Sequence, residues 1–127
     1  MAKTITITAE FKIRYDRIQD LIDSALSNGG SDYWCKIEDY VYPNQSNSYD
    51  ESLRHIEFPL KGGAIILSSI EDLDEKIRLT MDSIMTGLQC MAEKYPKHFA
   101  DFISENDDMY TGDVFLQCCL FGEVRYG

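Results

Sequence analysis

Cations are scarce in this chain: 12 Lys and Arg stand against 22 Asp and Glu over 127 residues, a formal charge of −10. A field of that sign repels phosphate backbones within the screening length, which disfavours non-specific nucleic-acid binding and attachment to anionic membranes. No uncharged apolar run approaches the roughly 18 residues a membrane span needs. The opening Met1-Ala2-Lys3, followed by alternating Thr and Ile, lacks the apolar stretch of a secretion signal, so a cytoplasmic location is expected. Histidine is limited to His55 and His98, and His98, with Asp101 one helical turn on, has no nucleophile beside it in sequence. Of the four cysteines, Cys35 and Cys90 stand alone and Cys118-Cys119 are adjacent, a spacing that suits buried thiols better than zinc. The Asp107-Asp108 segment fails as a calcium loop, because Cys118 falls where the bidentate Glu belongs. Gly29-Gly30 and Gly62-Gly63 match neither a P-loop nor a dinucleotide fingerprint. No metal and no cofactor is expected.

What is present is enough apolar material, 44% of the chain, for one core, so residues 1–127 are expected to form a single domain. Thr4-Ile5-Thr6-Ile7-Thr8 alternates β-branched residues at period 2 and predicts a half-buried strand running on toward Phe11 and Ile13. Ile18, Leu21, Ile22, Ala25 and Leu26 recur at helical spacing behind Asp16 and end at Asn28-Gly29-Gly30, predicting an amphipathic helix. Residues 33–42 predict a second strand, with Trp34, Lys36, Glu38, Tyr40 and Tyr42 on the face opposite Cys35, Ile37 and Val41. The turn-rich segment 43–50 predicts an exposed loop. Ile56, Phe58 and Leu60 alternate before Lys61-Gly62-Gly63 and Ala64-Ile65-Ile66-Leu67, predicting a hairpin with the Pro59 arm outermost.

Further along, Thr80 and Ser83 are capping candidates for a helix that turns Ile84, Leu88, Met91, Ala92 and Tyr95 inward and stops at Pro96. A short helix around Phe99, Phe102 and Ile103 follows. Thr111 with Asp113 is expected to cap a last, nearly all-apolar and buried helix that closes at Gly122. Together these elements predict an α+β fold, a mostly antiparallel sheet of about four to five strands with helices packed on one face.

The candidate ligand residues are aromatics interleaved with the few cations: Tyr33, Trp34 and Lys36 after the first helix, Arg54 and Lys61 around the predicted hairpin, and Arg125-Tyr126 at the end. Aromatic faces stack bases, and Arg and Lys bind phosphate through charge-assisted hydrogen bonds, so a fold that gathers them would make a nucleotide pocket. The competing reading has Trp34 and Tyr126 covering the core while the cations pair with abundant carboxylates.

Two segments, Asn28-Gly29-Gly30-Ser31-Asp32-Tyr33-Trp34 and Thr111 to Gln117 running into Leu120-Phe121-Gly122-Glu123-Val124-Arg125-Tyr126-Gly127, together with the Gly62-Gly63 turn and the helix around 79–87, resemble a family of small accessory proteins of tailed bacteriophages and prophages. The resemblance implies a phage origin and a host-cell cytoplasm during infection, but no reaction. It suggests a non-enzymatic counter-defence protein, read in two ways. In the first, the protein sequesters a nucleotide-derived immune signal through the seven aromatic and cationic residues. The net field then favours a basic pocket shared between chains of a homo-oligomer. In the second, Glu71, Asp72, Asp74, Glu75, Asp101, Glu105, Asp107 and Asp108 imitate nucleic acid and bind a host defence protein, a nuclease or CRISPR effector.

Overall fold

The computed structural model describes residues 2–43 and 54–127. Helix α1 covers Tyr15–Ile22 and continues as a π-helical turn over Asp23–Ser27. Strand β1 (Cys35–Val41) follows, then a 3-10 helix (His55–Lys61), β2 (Ala64–Ser69), β3 (Asp72–Leu79) and helices α2 (Met81–Lys94), α3 (Pro96–Ile103) and α4 (Met109–Phe121). The class is α+β, with an antiparallel sheet of three strands in the order β1-β2-β3 rather than the four to five predicted. No helix among the described residues is long and apolar enough to cross a membrane.

Two of the predicted strands are absent from that sheet. Residues 2–14 form no regular element, and Ile5 and Ile7 are 90% and 78% exposed. Alternation gives a chain a surface that fits a sheet, but a strand exists only where an edge pairs with it. Residues 55–61 form the 3-10 helix instead of a hairpin arm, burying Ile56, Phe58, Pro59 and Leu60. The carboxylate of Glu57 accepts the Arg54 N–H at 2.7 Å and starts the turn, while Gly62, at a φ of +97° that disfavours a side chain, ends it. The hairpin lies one element later, where the two-residue turn Ile70-Glu71 joins β2 to β3. The predicted loop falls mostly on residues 44–50, outside those described.

In β1 a register break between Ile37 and Asp39 inserts one residue, and Tyr40, expected beside Lys36 and Glu38, turns instead toward the core and packs on it. Ile65, Leu67 and Leu79 carry the inner side of the sheet into a core shared with Ile18, Leu21 and Ile22 of α1, Ile84 and Met91 of α2, Phe102 of α3 and Phe115 and Leu116 of α4. Thr80 caps α2 as predicted, accepting the Ser83 N–H at 3.3 Å. For α4 the cap is Asp108, which accepts the Thr111 N–H at 3.0 Å; Asp113 lies inside the helix and is buried. Gly87 lets α2 and α4 approach closely, since a Cβ there would stand 2.8 Å from the backbone of Cys119.

Candidate functional site

The seven aromatic and cationic residues fall in three places. Trp34 ends the turn after Gly29-Gly30 and is 1% exposed, its indole Nε1 donating to Asp113 Oδ1 at 2.7 Å. Its ring is covered from within: Tyr126 stacks on it nearly parallel, 8° off with centroids 5.1 Å apart, and Phe121 packs at 5.4 Å. Tyr33 donates to Asp113 Oδ2 at 2.5 Å, and Ser31 donates to Oδ1 at 2.8 Å. Arg125 places its guanidinium over the Phe121 ring, 4.5 Å from its centroid. Lys36 is exposed on β1, in register with Ser68 of β2. Arg54 and Lys61 flank the 3-10 helix, Arg54 pairing with Asp23 at 3.4 Å. Tyr33, Trp34, Arg125 and Tyr126 are thus brought together, while no contact among the described residues joins Arg54 or Lys61 to them.

What Tyr33, Trp34 and Tyr126 build instead is a polar staple for the end of the chain. Gln117, one helical turn beyond Asp113, donates from Nε2 to Asp113 Oδ1 at 3.2 Å and to the Tyr126 carbonyl at 3.2 Å. Its Oε1 accepts the N–H groups of Arg125 at 2.7 Å and Tyr126 at 2.9 Å. Tyr95 OH accepts the Val124 N–H at 2.8 Å, and the Tyr126 and Ser69 hydroxyls are hydrogen-bonded at 2.8 Å. A buried carboxylate without a cation beside it is tolerable only when donors surround it, and Asp113 has four. Burial, together with that carboxylate, pushes the Tyr33 phenol up to about 12. The sequence signal for this cluster was a polar pair at i, i+4 in an otherwise apolar helix.

Thiol chemistry is disfavoured by the same burial. The Cys35 thiol is pushed up to about 12 by desolvation and then by the charges of Asp113 and Asp32, and Cys118 and Cys119 are raised further by burial. His55 stacks on Tyr40 at 4.1 Å.

Two cavities stand out. The larger, about 720 Å³, is a groove between residues 7–13 and α2, lined by Ile7, Phe11, Ile13, Ile84, Met85 and Leu88 among others; its charged lining residues are Glu10 and Glu93. The smaller, about 170 Å³, lies between Arg54, His55, Tyr40 and Ile37. Arg54 alone of the seven ligand candidates lines either one.

The acidic residues also divide. Asp107 holds Arg17 at 2.6 Å, and Arg17 further donates to the Phe102 carbonyl at 2.9 Å and lies over its ring. That hydrogen bond to Asp107 is the main reason the guanidinium is held above its ordinary pKa. With Asp108 used as a cap, this part of the predicted acidic row serves the fold. Glu71, Asp72, Asp74 and Glu75 are exposed on the β2–β3 hairpin, beside Ile70 at 53% and Leu73 at 45% exposure, and no ion pair of the described residues engages them. Lys76 donates to the Leu73 carbonyl within this segment and pairs with Glu38, 3.2 Å distant; Ser68 Oγ donates to the same Glu38 carboxylate at 2.7 Å, and that bond, with the one from Lys76, lowers the Glu38 pKa. No family model, curated protein or solved structure matches this chain.

Proposed function

We propose that the protein works by binding and not by turnover, and that its β2–β3 hairpin engages a basic surface on another protein. The observation that carries this reading is the hairpin tip: four carboxylates without a cation partner, interleaved with exposed Ile70 and Leu73. Charge steers encounter and sets specificity, while the two apolar side chains supply burial at the centre of the contact. The tip is anchored, since the Ile70 N–H bonds the Trp34 carbonyl at 2.8 Å and Ser69 is tied to Tyr126, so little ordering cost attends binding. In the phage setting that the terminal segment suggests, the partner is a host nuclease or CRISPR effector whose nucleic-acid groove is basic. This is the mimic reading, narrowed from two acidic rows to one hairpin. Sequestration of a nucleotide by this chain alone has less support, because Trp34 is already stacked and the larger groove is apolar with an acidic rim.

The test is titration of the protein against a panel of nucleases and CRISPR effectors over a salt series. Binding is expected to weaken as salt rises and to fall at least about tenfold in the triple variant Asp72→Asn, Asp74→Asn, Glu75→Gln. Affinity indifferent to both, or calorimetric binding of a cyclic or ADP-ribose-type nucleotide by the isolated chain, would reject this reading.

A further inference from the structure

Independently of that reading, we propose that two copies of this chain pair through their N-terminal arms, Thr4–Thr8 of one running antiparallel to Thr4–Thr8 of the other. The arm has the sequence of a strand without a partner: β-branched residues at period 2, with Ile5 and Ile7 left 90% and 78% exposed. Its pattern is complementary to itself. With Thr6 opposite Thr6 of the second copy, Ile5 meets Ile7, Thr4 meets Thr8, and the ribbon has one face of isoleucine and one of threonine. A slip of one residue sets Ile against Thr throughout, so the pattern favours pairing like with like, of which the Thr6-centred register pairs all of Thr4–Thr8; antiparallel pairing of identical strands is two-fold and closes as a dimer.

The isoleucine face also has somewhere to go. Ile7 already forms one wall of the 720 Å³ groove, whose other wall includes Met85, itself 62% exposed. The arm is held at its base by Phe11, edge-on to Phe99 with centroids 5.1 Å apart, so a paired ribbon stays beside the groove. The self-complementary pattern picks a second copy as the occupant, and one local charge contact agrees with it. Glu10 and Glu93 give the groove an acidic rim, and Lys3 is the one charged residue of segment 2–9. In the two-fold register Lys3 of the second copy falls opposite Ala9, on the isoleucine side and next to Glu10. Because each chain carries −10, association is opposed by the net field and tightens as salt screens it.

Sedimentation equilibrium of the full chain, with crosslinking through introduced thiols, tests this. The wild type is expected to form a dimer that strengthens with salt. Ile5→Asp combined with Ile7→Asp is expected to weaken it about 100-fold or more, with a far-UV spectrum matching the wild type at monomeric concentrations, both side chains being exposed in the single chain. Under mild oxidation Thr6→Cys, on the two-fold axis, crosslinks faster than Ile5→Cys, which faces Ile7. A chain that stays monomeric at every accessible concentration overturns the proposal, as does a dimer indifferent to the double substitution or equal crosslinking at positions 5 and 6. A monomer whose groove takes up an apolar dye without losing it to added protein also overturns it, assigning the groove to a small apolar molecule.

Discussion

The two ends of the chain both lack regular secondary structure, and they are opposites. Residues 2–9 have the pattern of a strand but no ladder, with their isoleucines in water. Residues 123–127 have no period at all, yet the N–H groups of Val124, Arg125 and Tyr126 are all bonded to side chains and Tyr126 lies flat on Trp34. Order follows from where backbone hydrogen bonds and apolar faces find partners, and a propensity without a partner leaves a segment exposed.

The largest expected effect is at the built-in end. Trp34→Ala removes the platform under Tyr126 and leaves Asp113 short of a donor, and is expected to cost about 3–5 kcal/mol in urea unfolding. Gln117→Ala frees the Arg125 and Tyr126 N–H groups together and is expected to cost about 1–3 kcal/mol, with loss of exchange protection confined to residues 124–127 if the staple is local. Gly87→Ala, remote from both ends, forces α2 off α4 and is expected to cost about 1–3 kcal/mol, which gauges the helical core against the staple.

Tyr33 sharpens the contrast through pH. Its phenol is raised to about 12 in the fold against about 10 when unfolded, so the neutral form is the one the fold favours. The stability this contributes is complete below pH 10 and is lost as pH rises toward 12. Ultraviolet titration is expected to find late ionisation of Tyr33 that is lost in Tyr33→Phe and moves down in Asp113→Asn. Smallest of all, Ile7→Ser measured at monomeric concentrations is expected to change stability by less than about 0.5 kcal/mol, because the side chain is already in water.

Much of the helical half was legible. The spacing of Ile84, Leu88 and Met91, the Thr80-Ser83 cap and the Gly122 stop all act within one or two turns, so the sequence displays them directly. The sheet was less so. Period 2 was read equally from Thr4–Thr8, from Ile56-Phe58-Leu60 and from β1, but pairing depends on distant residues, and Pro59, lacking an N–H, sits in a 3-10 turn that the alternation conceals. Tyr33, Trp34 and Tyr126 were singled out together with the cations as ligand candidates, whereas the fold gathers these three around Asp113, which local reading made a cap. Only the fold shows that an acid on α4 lies opposite the turn after Gly30.

Hydrogen exchange followed by mass spectrometry across protein concentrations compares the two ends in one experiment. The C-terminal amides at Val124, Arg125 and Tyr126 are expected to be protected at every concentration, and those of Thr4–Thr8 to gain protection only as concentration rises. Rapid exchange at 124–126, or arm protection that does not change on dilution, would contradict the account of one end fixed within the chain and the other awaiting a second copy.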